Sequence, residues 1–119
     1  MKQRAITYAL AILIATGICT AAQAKPLAVP NEEAAETRTI ELIHKYELTS
    51  DRIECLDFET TNKGKTFEVR VREQHTAQCP GDPMVEPTLF FLQIRKRDGQ
   101  ALMLDYLTGN FIPLRKPKP

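Results

Sequence analysis

The spacing of core-facing residues changes period once along this chain, and that change fixes the class of fold open to it. Up to Tyr46 these positions recur every three to four residues: Ala35, Thr39, Leu42, Ile43 and Tyr46 share one face of a helix, with Ile40 at its edge. Beyond Thr49-Ser50-Asp51 they recur every second residue. Leu56 and Phe58 alternate with Cys55, Asp57 and Glu59, and Phe67, Val69 and Val71 alternate with Glu68, Arg70 and Arg72. A period of two belongs to strands with one buried face. The chain therefore predicts a helix followed by antiparallel sheet.

The helix is expected from Asn31 to Glu47. Asn31 offers an N-cap, Glu32, Glu33 and Glu36 place negative charge near the positive end of the helix dipole, and no Gly or Pro intervenes before Gly64. Two hairpins are expected after it. In the first, Asn62-Lys63-Gly64 suits a three-residue loop with a left-handed glycine. In the second, Leu89 to Lys96 and Gln100 to Leu107 flank Arg97-Asp98-Gly99. Thr108-Gly109-Asn110 breaks the last strand, and Phe111, Ile112 and Leu114 are expected to pack back on the body. The second hairpin is apolar on both parities: Phe90, Leu92 and Ile94 oppose Leu89 and Phe91, and Leu102, Leu104 and Tyr106 oppose Met103 and Leu107. One helix cannot cover both faces of a sheet, so apolar surface is expected on the far face, for the terminal segments, a second copy or a partner to cover.

The ends of the chain set the compartment. Lys2 and Arg4 precede an apolar run from Ala5 to Ile18, and small residues end in Ala22-Gln23-Ala24. This reads as a secretory signal peptide, residues 1–24, with an apolar run shorter than the roughly 20 residues that span a bilayer. No retained membrane anchor is expected, and Ile18 before Cys19 argues against lipidation, which wants a small residue there. Removing 24 of the 119 residues leaves 95: an extended lead-in at 25–30, one α+β domain at 31–114 and a frayed tail at 115–119. Lys2 and Arg4 leave with the signal peptide, so 14 of the 16 basic residues face 15 acidic ones. That balance lacks the basic excess of a nucleic-acid binder.

Small exported domains often need covalent help. Once Cys19 is removed, Cys55 and Cys79 remain, and in an oxidising compartment a lone pair is most simply a disulfide. Cys79 sits in a long connection, His75 to Thr88, where hairpin loops usually take about two to five residues. Cys79-Pro80-Gly81-Asp82 suits a type II turn, and Pro83 and Pro87 stiffen the backbone beyond it. Closing the 24-position loop contributes roughly 3 kcal/mol in the chain-entropy picture.

Other chemistries compete for the same residues. His75 with Cys79 could form a base and nucleophile, but that needs a free thiolate and a third, orienting group. Cys55, His75 and Cys79 with His44 or Met84 could hold zinc or copper(I), but no C-x-x-C or H-x-x-x-H spacing supports the set. Asp57 and Glu59 opposite Glu68, Arg70 and Arg72 read as solvated cross-strand pairs before they read as catalytic acids. No phosphate loop or Gly-x-Ser-x-Gly elbow is present. No enzyme activity, metal or cofactor is expected.

The run His75-x-x-x-Cys79-x-Gly81-Asp82-Pro83-x-x-x-Pro87-x-Leu89-Phe90, followed by an alternating strand and Asp98-Gly99, resembles a segment of small exported bacterial proteins of unassigned function. The likeness runs from Cys55 to Leu114. It implies an N-terminal helix before an antiparallel sheet, and an earlier cysteine paired with the motif cysteine. The chain departs from the pattern at Thr76 and Pro80, where asparagine and glycine are more usual. The order of elements also looks like cystatin-like and PepSY-like arrangements, a likeness of fold that implies no function.

The sequence therefore predicts one N-terminal helix on a four-stranded antiparallel sheet, with a Cys55 to Cys79 bridge. Its expected role is that of a periplasmic or secreted, non-catalytic binding module, an inhibitor of or accessory to a cell-envelope protein, or a self-associating one. The expected surface is the loop at His75 and Asp82 and an open sheet face at Phe90, Leu92, Arg70 and Arg72. The alternative is a periplasmic protein that binds a small ligand or a metal.

Overall fold

The computed structural model of the chain describes residues 27–116 together with Ile12 and Gly17. Apart from those two positions, the expected signal peptide lies outside the described residues, as do 117–119 of the tail. The elements are a helix α1 (Glu32–Tyr46), then strands β1 (Leu56–Asn62), β2 (Thr66–Glu73), β3 (Thr88–Arg95), β4 (Ala101–Asp105) and β5 (Asn110–Pro113). A single 3-10 turn, Ile53–Cys55, leads into β1. No helix among the described residues is long and apolar enough to cross a membrane.

α1 starts where its capping chemistry starts. The Asn31 side chain accepts a hydrogen bond from the Ala34 N–H at 2.8 Å, and Glu32 and Glu33 fill the first turn. It ends at Glu47, which takes the left-handed conformation at φ 52° and lets the last turn close on the Ile43 carbonyl. Ala35, Thr39, Leu42 and Ile43 form its buried stripe, at the spacing the sequence predicts. Thr39 is fully buried, and its hydroxyl donates to the Ala35 carbonyl at 2.8 Å, so no polar atom is left bare beneath the helix.

The strands form one antiparallel meander in sequence order, β1-β2-β3-β4-β5. Five strands, not four, make the sheet. Phe111 and Ile112 do pack back on the body, but as a paired edge strand: Leu104 stands opposite Phe111 and Met103 opposite Ile112. β4 correspondingly stops at Asp105 rather than Leu107, and Tyr106 and Leu107 lie exposed in the turn. The first hairpin loop falls one residue later than expected, at 63–65, with Asn62 Oδ1 accepting from the Gly64 N–H at 3.0 Å.

Register decides which parity is buried. Val69 pairs with Leu92, Val71 with Phe90 and Phe67 with Ile94, and all six lie under the helix. Fully burying each such side chain is worth about 1.5–3 kcal/mol. The expectation that Phe90 and Leu92 belong to the open face is therefore overturned: they are 5% and 0% exposed, held inward by their pairing with the valines of β2. The opposite parity, Phe91 and Gln93, faces away from the helix. A register shift between Val71 and Arg72 leaves Leu89 without a partner, and it packs against the core instead.

One residue of the lead-in joins the core. Val29 is buried, and its N–H donates to the Lys96 carbonyl at 2.7 Å. The same crossing explains Gly99: a Cβ there would meet the Leu27 carbonyl at 2.8 Å, and its φ of +70° suits glycine. Leu114 closes the core from the other end of the chain.

Candidate functional site

Two surfaces stand apart from the core: the loop between β2 and β3, and the sheet face turned away from α1. The loop is held by the Cys55–Cys79 disulfide, whose Cα atoms are 5.4 Å apart. Its backbone is anchored at several points. The Gln74 N–H donates to the Cys55 carbonyl at 2.8 Å, the Glu73 N–H to the Pro87 carbonyl at 2.9 Å, and Thr76 and Cys79 exchange hydrogen bonds at 3.0 and 3.1 Å. Arg52 donates to the Gln78 carbonyl at 2.7 Å. Asp82 Oδ1 accepts from the Met84 N–H at 2.9 Å, so this side chain is spent on its own turn.

His75 is the loop's hub. Its Nδ1 lies 2.7 Å from the Asp82 carbonyl oxygen and its Nε2 lies 2.9 Å from Glu73 Oε2. A carbonyl can only accept, so Nδ1 carries a proton, and an ionised Glu73 asks for a second one on Nε2. The hydrogen bond to Asp82 first, and then the one to Glu73, hold the His75 pKa above its ordinary value. Glu73 in turn is lowered, chiefly by its hydrogen bond to His75 and then by Asp51, while Asp51 is raised by burial and by Glu73. The face of the ring lies against Gly81, where a Cβ would come within 2.5 Å of it. The histidine, glycine and aspartate of the motif are thus explained by one another: the ring fills the space a Gly81 side chain would take and hydrogen-bonds the next carbonyl.

This geometry leaves little for nucleophilic or metal chemistry at the loop. Both sulfurs are in the bridge, and the His75 ring is turned to Glu73 and Asp82. His44 lies exposed on α1 and Met84 is 89% exposed in the loop. Among the described residues no group of three His, Cys, Asp or Glu is placed to hold a metal ion. A cleft of about 190 Å³ runs beside the bridge, reached by Asp51, Arg52, Glu73 and His75.

The open sheet face divides in two. Over β1 and β2 it is charged. Arg72 lies 2.6 Å from Asp57, 3.5 Å from Glu86 and 3.9 Å from Glu59, and Arg70 lies 3.7 Å from Glu59. Arg70 Nε also donates to Thr88 Oγ1 at 2.7 Å, and its guanidinium lies 5.9 Å from the centre of the Phe91 ring. Arg72 Nε is buried without a hydrogen-bond partner, the one such side-chain atom among the described residues. Over β3 to β5 the face is apolar: Phe91, Leu102, Leu104 and Phe111 are half-buried, and Leu104 stands opposite Phe111.

Of the expected surface, His75 and Asp82 lie together in the loop and Arg70 and Arg72 lie on the open face, whereas Phe90 and Leu92 lie beneath the helix. The surface expected from the sequence did not include Glu73 and Asp51 at the loop, and Leu102, Leu104 and Phe111 read there as apolar without being placed on the open face. Glu73 carried a usable signal, since residues two apart in an extended segment share a side and Glu73 stands two before His75. Protein-family models, curated proteins and solved structures give no match to this chain.

Proposed function

We propose that this chain is an exported, non-catalytic binding module, accessory to or inhibitory of a cell-envelope protein, and that it engages that partner through the open face of its sheet. The observation that carries the reading is the apolar group Phe91, Leu102, Leu104 and Phe111, half-exposed beside the Arg70 and Arg72 ion pairs. An apolar centre with a charged margin is the composition of a protein-binding surface, where apolar area supplies affinity and the charges set register. The stapled loop borders the face through Glu86, which reaches Arg72, so the bridge also fixes the margin of that surface. Export rests on the leader pattern and fits a protein held by a disulfide.

The test is photo-crosslinking in the producing cell. A photoreactive phenylalanine analogue at Leu102 is expected to give one discrete adduct with an envelope protein, and the same group at Glu41, on the outer side of α1, is expected to give none. Equal labelling at the two positions, or no adduct at Leu102, removes the open face as the binding surface.

A further inference from the structure

A cleft of about 650 Å³ lies away from both the stapled loop and the open sheet face, where the lead-in crosses the ends of the two hairpins. Ala28, Val29 and Pro30 of the lead-in form one wall, and Lys65, Arg95, Lys96 and Arg97 of the hairpin ends form the other. The Val29 N–H donates to the Lys96 carbonyl at 2.7 Å and ties the two walls together, and the Lys96 N–H donates to the Lys65 carbonyl at 3.0 Å within the hairpin wall. A cleft of this size, preformed and mostly apolar, has the dimensions of a small-molecule site.

Its charges have one sign. Among the described residues no acidic side chain lines it. Asp98, the acid of the adjoining turn, is taken by Arg95, which donates to it from Nε at 2.8 Å, and lies a longer 3.9 Å from Arg97. Lys96 is placed over the Phe67 ring, with its nitrogen 2.7 Å from Asn62 Oδ1. Lys65 makes no ion pair among the described residues, and Arg97 is 77% exposed. The rim therefore keeps Lys65 unpaired among the described residues, and Arg97 held only by the longer contact to Asp98, beside apolar walls.

From these walls and this rim we infer that the cleft binds an amphipathic anion, an aliphatic chain ending in a carboxylate or phosphate head, with the chain along Ala28, Val29 and Pro30 and the head between Lys65 and Arg97. The long stems of the lysine and arginine residues suit this division, since they lie along apolar surface while their heads reach the anion. The site is separate from the open sheet face, so either proposal can fail without the other.

The experiment is a titration of the exported protein, recovered with its own processed N-terminus, followed by amide NMR shifts. Decanoate, decyl phosphate, decanol and inorganic phosphate are compared, each below its aggregation concentration. Saturable shifts at Val29, Lys65, Lys96 and Arg97 with decanoate or decyl phosphate, and affinity at least about tenfold lower for decanol, support the inference; the tighter of the two anions assigns the head group. The double variant K65Q and R97Q, at exposed turn positions, is expected to weaken anion binding about tenfold or more with an unchanged melting temperature. A28F is expected to abolish binding by filling the groove. Equal affinity for decanol and decanoate, unchanged binding in the double variant, shifts confined to the open sheet face, or no saturable shifts at all would each overturn the assignment.

Discussion

His75 ties the loop together through a charge it must keep. Its raised pKa means that the folded protein holds the proton more tightly than the unfolded chain does. The stabilisation is fully present below the ordinary value of 6.5 and is lost as pH rises through the folded value. Glu73, lowered from 4.5, sets the other side: its contribution is present above that value and fades as pH falls through the folded one. The His75 ring should therefore titrate by NMR with a midpoint above 6.5, and amide exchange across residues 74–87 should quicken as pH passes that midpoint, beyond its ordinary base-catalysed rise. In H75Q that extra step is expected to vanish. Gly81 gives the second test at this scale. With φ at +143° and the imidazole against its α-carbon, alanine there is strained in backbone and in space. G81A is expected to lower stability by about 1–3 kcal/mol, read as a fall in melting temperature. The sequence made the Cys-x-Gly-Asp-Pro core visible as a turn. It did not reveal why the histidine belongs to it, because that depends on a ring stacking on a glycine six positions away.

At the level of elements, the helix and the first two strands could be read from period, because each buries one stripe or one face, and the third and fourth from the Arg97-Asp98-Gly99 turn between two apolar runs. The fifth strand could not. Phe111 and Ile112 alternate over only four residues, and Pro113 reads as a breaker although a sheet edge accepts it. The facing of β3 was equally hidden: Leu89 to Ile94 is apolar at both parities except Gln93, so only the register with Val69 and Val71 decides that Phe90 and Leu92 go inward. This makes a sharp comparison of two leucines on neighbouring strands. Leu92, fully buried, should cost about 2–5 kcal/mol when changed to alanine. Leu102, half-buried on the open face, should cost less than about 1 kcal/mol in the isolated protein. Chemical denaturation of L92A and L102A checks both, and equal losses would contradict an inward Leu92 and an outward Leu102.

For the molecule as a whole, the register puts the hairpin turns at 63–65 and 96–100 at one end, with the lead-in, and the stapled loop with the turn at 106–109 at the other. The cationic cleft and the disulfide are thus at opposite poles. Replacing both Cys55 and Cys79 with serine is expected to remove roughly 3 kcal/mol of stability while the sheet still forms, checked by denaturant titration and by far-ultraviolet circular dichroism. The reason the sheet survives lies in the order of its strands. Every strand neighbours the one made just before it, so pairing can follow the chain as it emerges and needs no distant segment to arrive first. An oxidant then meets two thiols already brought side by side, and it seals a conformation rather than searching for one.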